Sequence, residues 1–293
     1  MTAIGPIAGL VLRHTMDAPV TFRDLPGSEW RARDDDACDI TVRHMLGSTS
    51  VDGLAPSLEV GEHATYYSDR DGSPAVLLRQ IIPGVESVLL RTVVPGHEYE
   101  ARYSAAPTSA VPRVVSELPA YTLALSARRG GVIAHGCGFV LPGGGLALCL
   151  GVSGAGKSTL GRLLAGESGV RVLNDDRIVL TMQTGGIHAW STPWPGRGGQ
   201  ATVGDAPLAV VALIGRATER RVSAIRGRPA VAALLQTIAI PLWEGEASDH
   251  ALELVGRLEQ DVPIVRLEYP LETGTGAWIA TTLRSVANGR VEV

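Results

Sequence analysis

Residues 146–159 read LALCLGVSGAGKST. The run LALCL has strand length and carries no turn residue, and a glycine-rich loop follows it directly. The loop matches G-x-x-x-x-G-K-[S/T] at Gly151, Gly156, Lys157 and Ser158. Glycines there let backbone N–H groups turn inward around phosphate oxygens with no Cβ in the way. The helix expected from Lys157 to Ala165 adds the positive end of its dipole. Lysine supplies a compact charge to the β and γ phosphates, and the Ser158 hydroxyl suits Mg²⁺. Gly151, Ser153, Gly154, Ala155, Gly156, Lys157, Ser158 and Thr159 are the candidate nucleotide-binding residues.

Composition sharpens this reading. The chain has 293 residues, with 26 basic and 30 acidic side chains. Twenty-five of the basic residues are Arg and one is Lys, and that one is Lys157. Arginine's planar fork is a poor substitute in a small phosphate cavity. A guanine-reading Asn-Lys-x-Asp motif is excluded, because the single Lys is already used. Mild net acidity argues against a broad, sequence-independent grip on nucleic acid.

Three cysteines, Cys38, Cys137 and Cys149, stand at no metal spacing and suggest a reducing compartment. MTAIGPIAGLVLRHT has no basic residue ahead of its apolar part, so no export signal is expected and the location expected is cytoplasmic. The longest uncharged stretch, 130–156, spans 27 residues but holds ten Gly, so no membrane span is expected.

Working outward from the loop, strand Val132–Val140 and the turn Pro142–Gly145 complete a hairpin with Leu146–Leu150. Strands are expected at Val170–Leu173, Arg177–Met182, Leu208–Ile214 and Ile264–Leu267. Helices are expected at Glu117–Arg129, Ala230–Ile240, Ser248–Gln260 and Gly276–Asn288. The first of these has Leu118, Tyr121, Leu125 and Ala127 near one face. Alternating strands and helices in this half predict an α/β architecture. Residues 1 to about 110 read as short strands and turns, such as Ala75–Ile82 and Ser87–Val94 around Pro83-Gly84. The organisation expected is a β-rich N-terminal domain over 1–112 and a P-loop domain over 113–293.

Asp175 and Asp176 follow the strand that comes one helix after the loop. One carboxylate there could hold Mg²⁺ while the other takes a proton from an attacking hydroxyl. Asn-Asp-Asp is also good turn chemistry. His135 lies 16 residues before Gly151, close to the loop if the hairpin turns near Gly144. A strand histidine among apolar neighbours is commonly a satisfied core residue, so spacing leaves both readings open. Thr192–Gly196 could cover the nucleotide or form a rigid corner. Arg197 and the cluster Arg216, Arg220, Arg221, Arg226 and Arg228 are phosphate-clamp candidates or a solvated face.

His135-Gly136, then Gly151–Ser158, then Asn174-Asp175-Asp176 together resemble the catalytic domain of HPr kinase/phosphorylase. That family is similar in fold to phosphoenolpyruvate carboxykinase. The resemblance covers about residues 116–293. It implies a Mg-ATP-dependent kinase that phosphorylates a serine hydroxyl of a peptide or protein. Lys157 would bind the β and γ phosphates, and Ser158 with Asp176 would hold the metal. Asp175 would be the base, with His135 beside the transferred phosphate.

The family's Arg-Gly-x-Gly signature is absent, and Ser191–Gly199 stands in its place. The first 110 residues do not read like that enzyme's usual N-terminal domain. The chain therefore looks more like divergent HPr-kinase-like proteins, some of which phosphorylate ribosomally made precursors such as lasso peptides. The resemblance also raises a homo-oligomer as an expectation. A small-metabolite kinase on the same scaffold and a nucleotide-binding regulatory module without turnover stay open.

Overall fold

A computed structural model describes residues 2–33, 37–60, 62–128, 130–151, 155–243 and 245–290. The chain divides into two compact units, Met1–Gly130 with Pro241–His250, and Gly131–Ile240 with Ala251–Val293. Each has its own sheet, and the whole is mixed α/β. No helix among the described residues is long and apolar enough to cross a membrane.

The first unit holds β1 (Thr2–Ile7), β2 (Leu10–Met16), β3 (Ile40–Leu46), β4 (Ala55–Val60), β5 (Ala64–Ser68), β6 (Pro74–Ile82), β7 (Val85–Val94), β8 (Glu98–Tyr103) and helix α1 (Glu117–Ala127). The strands form one sheet in the order β1-β2-β3-β8-β7-β6-β5-β4. The boundary expected at 112/113 and the division at 130/131 differ by α1. That helix belongs with the first unit because Tyr121 donates its hydroxyl to the Ile7 carbonyl and Glu117 meets His14.

The one-faced apolar pattern expected for α1 is not what is found. Glu117, Ala120, Tyr121, Leu123, Ala124 and Leu125 are all buried, so the helix is enclosed on several sides. It ends at Ala127, before the expected Arg129. Arg128 instead turns back to donate to the carbonyls of Gly96 and Asp39.

A buried polar chain runs through this unit. Tyr103 hydroxyl bonds His44 Nδ1 at 3.0 Å, and His44 Nε2 bonds His14 Nδ1 at 2.8 Å. His14 Nε2 meets Glu117 at 2.9 Å, and Arg113 reaches the same carboxylate at 2.7 Å. Each ring nitrogen has a partner, which is what burial of polar groups requires.

The second unit holds β9 (Val132–Val140), β10 (Leu146–Leu150), α2 (Lys157–Ala165), β11 (Arg171–Asn174), β12 (Arg177–Gln183), β13 (Gly186–Ser191), β14 (Asp205–Arg216), β15 (Arg221–Ala224), α3 (Arg228–Leu235), β16 (Ile238–Ala239), α4 (Gly245–Asp261, within this unit from Ala251), β17 (Ile264–Tyr269) and α5 (Thr275–Ala287). The hairpin β9–β10, and helix α2 after strand β10, stand as the spacing predicts.

β10 pairs antiparallel with β9 and parallel with β14, and β14 runs parallel to β17. All five residues of LALCL are buried, because helices cover both faces. Leu146, Leu148 and Leu150 join α3 and α4 in one core cluster. Cys149 and Ala147 face the opposite way, toward Leu160 and Leu164 of α2 and Ile279 and Leu283 of α5. The period-2 alternation of the strand thus feeds two cores.

The helix expected over Ala230–Ile240 is shorter. α3 stops at Leu235, and the chain leaves it to pair Ile238 and Ala239 with β9. The Thr237 carbonyl takes the His135 N–H at 2.7 Å, a sheet bond unavailable to a continuing helix.

Candidate active site

The site grows from two adjacent strand ends. His135 on β9 pairs in register with Arg177 on β12, and Gly136 lies opposite Leu150, the last residue before the glycine loop. Gly136 is required there: a Cβ would come within 2.7 Å of Leu150 and 3.0 Å of the Cys149 carbonyl. His135 therefore reaches the loop end of β10 through the hairpin register.

Between β11 and β12 the chain turns at Asn174-Asp175-Asp176. Asn174 is fully buried, and its side-chain oxygen accepts the N–H groups of Asp176 and Arg177 at 2.7 and 2.8 Å. Its amide donates to the Thr192 carbonyl at 2.7 Å. The turn chemistry anticipated in the sequence is present, and it fixes the backbone that carries the two carboxylates.

Asp176 is held on both oxygens. His135 Nε2 stands 2.9 Å from one, and Arg177 stands 2.6 Å from the other. Burial alone would raise this carboxyl. The His135 hydrogen bond and the charge of Arg177 outweigh burial, so Asp176 titrates below the usual range and stays ionised. Arg177 has no counterpart among the sequence-derived candidates. Its only signal was its place beside the acidic pair.

Asp175 behaves oppositely. It is 1 % exposed, and burial raises its carboxyl, opposed by the backbone N–H groups of Gly196 and Gly198. Gly196 N–H donates to Oδ1 at 2.8 Å. Oδ2 is sealed from solvent and, among the described residues, finds no hydrogen-bond partner of normal geometry. The loop after β13 closes over the pair. A Cβ on Gly196 would meet the Asp176 Cβ at 2.9 Å, and one on Gly198 would meet Asp175 Oδ2 at 2.1 Å and the Ser158 Cβ at 3.6 Å. Pro195–Gly199 thus covers the carboxylates, and its glycines are what permit so close an approach.

Of the candidate loop residues, Gly151, Ala155, Gly156, Lys157, Ser158 and Thr159 lie among the described residues. Gly151 follows β10 directly, and Ala155 packs onto the α2–α5 core. Gly156 has φ +102°, a backbone state that favours glycine, and opens α2. Ser153 and Gly154 lie outside the described residues. Lys157 is 7 % exposed and donates to the Gly151 carbonyl at 2.6 Å. Burial lowers its pKa, while Asp176 works to raise it. Ser158 and Thr159 sit half-buried on the first turn of α2. Gly161, one turn on, lets the helix approach the Asp175 Cβ, which a Cβ would meet at 3.5 Å.

Among the described residues no group of three or more His, Cys, Asp or Glu side chains could hold a metal. A Mg²⁺ shared with a nucleotide needs fewer protein ligands, since phosphates and water supply the rest. The hydroxyl of Ser158 and the ionised carboxylate of Asp176 are the hard oxygens that this chemistry asks for.

No family model matches this sequence. No curated protein matches it either. Among solved structures, the Hpr(Ser) kinase/phosphatase from Coxiella burnetii is similar at 13 % identity, over 54 % of this chain and 97 % of that one, with a TM-score of 0.31. A likeness that loose carries no argument, so the functional reading stands on the site geometry.

Proposed function

We propose that the second unit is a Mg-ATP-dependent kinase acting on a serine hydroxyl of a peptide or protein. One observation carries the reading. Two adjacent carboxylates sit in opposite settings near the glycine motif: Asp175 is buried with Gly196 N–H on one oxygen, and Asp176 is gripped by His135 and Arg177, so burial raises the first and its partners lower the second. Pairs of acids pushed apart in this way divide into a proton acceptor and a permanent charge.

Asp175 Oδ2 is the atom that takes the proton from the attacking hydroxyl. The serine oxygen forms its bond to the γ-phosphorus as the bond to the bridging β–γ oxygen breaks, and ADP leaves. Lys157 and the loop N–H groups bind the β and γ phosphates. Ser158 and Asp176 would hold Mg²⁺, which neutralises charge on the phosphate oxygens when bound. His135 orients the Asp176 carboxylate and keeps it ionised. Because Asp175 is covered by Pro195–Gly199, the acceptor must displace that loop to reach it.

The acceptor we favour is a ribosomally made precursor peptide, on the family resemblance of the motif set. The test is phosphate transfer from labelled ATP to peptides encoded beside the gene, with Asp175→Asn as the control. Transfer to serine that the variant loses by a factor of about 10² or more supports the assignment. An Asp175→Asn variant as fast as the wild type removes Asp175 as base. Transfer to a small metabolite alone, or binding without turnover, overturns the peptide-kinase reading.

A further inference from the structure

We propose that Arg216 is a second phosphate-binding cation of the nucleotide site. This rests on the reading of 151–158 as a nucleotide site. Five arginines between 216 and 228 are equal candidates in the sequence, and tertiary structure separates them.

The alternation of β14 fixes where Arg216 falls. Val210, Ala212 and Ile214 share the core that contains Leu160 and Leu164 of α2. Arg216 is the next residue on that face, one step beyond the buried part of the strand. β14 runs parallel to β10 with Leu213 level with Leu150, so both strands end at the same edge. Gly151 abuts Ile214: a Cβ there would lie 3.0 Å from the Ile214 side chain. Gly156 abuts Arg216: a Cβ there would lie 3.9 Å from its Nε. Open α/β sheets bind ligands at this carboxyl edge.

The other arginines are engaged elsewhere. Arg220 pairs with Glu272 at 3.1 Å, donates to the Thr273 carbonyl and lies over Trp278. Arg221 pairs with Glu219 at 2.8 Å. Arg226 lines a cavity with Glu259 and Asp261. Arg228 begins α3. Arg216 is exposed and, among the described residues, makes no ion pair and no hydrogen bond. An uncompensated guanidinium beside a phosphate loop is placed to bind phosphate oxygens in its fork. The ligand class is a nucleoside di- or triphosphate.

The experiment is titration of full-length wild type, Arg216→Ala, Arg216→Lys and Arg221→Ala with ATP, ADP and adenosine, by calorimetry. Arg216→Ala is expected to weaken ATP and ADP about tenfold or more, a charged hydrogen-bond pair lost. Arg216→Lys restores part of the loss, Arg221→Ala changes nothing, and unfolding midpoints stay put. Arg216→Ala binding ATP as wild type does, while wild type binds it well, overturns the role of Arg216 alone. Wild type that binds no nucleotide overturns the nucleotide-site reading beneath it. A loss equal for Arg216→Ala and Arg221→Ala makes the effect one of general surface charge and also overturns the proposal.

Discussion

His135 Nε2 lies 2.9 Å from Asp176 Oδ1, while Arg177 grips the other oxygen of the same carboxylate at 2.6 Å. The contact joins two strands through their register, since His135 and Arg177 face each other across β9 and β12. It also explains why Asp176 stays ionised although burial works against it.

Removing the histidine leaves Asp176 with one partner. His135→Ala is expected to lower phosphoryl transfer about 10–100-fold, as loss of an outer-shell partner to a metal carboxylate does. The Mg²⁺ concentration for half-maximal rate should rise, and His135→Gln should recover part of the loss. A magnesium titration of the rate checks this. An unchanged Mg²⁺ requirement would show that His135 does not act through Asp176.

Asp175 predicts the acid limb of the rate profile. Burial raises its carboxyl, so the base becomes protonated, and the rate falls, as pH drops through a value above the ordinary carboxylate range. The lower limb of kcat/KM against pH should therefore lie above about pH 4. A limb at or below that value would place the proton acceptor elsewhere.

Lys157→Arg keeps the formal charge but not the shape. The ammonium is buried and donates to the Gly151 carbonyl at 2.6 Å, a position too confined for a planar guanidinium. Phosphate transfer should be abolished, while circular dichroism and the melting midpoint remain close to wild type. A fully active variant would end the phosphate-loop reading.

The first unit should lose stability in acid. Desolvation, and next the charge of His14, depress His44 from 6.5 to about 2. The unfolded chain therefore binds a proton below pH 6.5 that the fold refuses, and stability falls as pH drops from 6.5 toward 2. The slope is about 1.4 kcal/mol per pH unit for this one group. His44 faces His14, Tyr103 and, through His14, the Glu117–Arg113 pair. Urea midpoints at pH 7 and pH 5 give the test, and His44→Asn should flatten the difference. No loss between those values in the wild type would mean that the ring is not held neutral.

The strand and helix that flank the glycine motif, and the turn at the acidic pair, were legible in the sequence because each depends on neighbours a few residues away. LALCL buries both faces, Gly156 takes a positive φ, and Asn174 closes the turn through its own side chain. α1 departs from a one-faced apolar pattern because that helix is enclosed, and α3 ends before Ile240 because a sheet bond to His135 competes with the helix.

Local spacing determined strand β10 and helix α2 on either side of the glycine motif, the turn at Asp175-Asp176 and the α/β character of the second half. Only tertiary structure decided how the two carboxylates differ, since desolvation, His135 and the Gly196 N–H come from residues distant along the chain. It also brought Pro195–Gly199 over Asp175 and singled out Arg216 from four sequence neighbours, because strand register sets which side chains meet at a sheet edge.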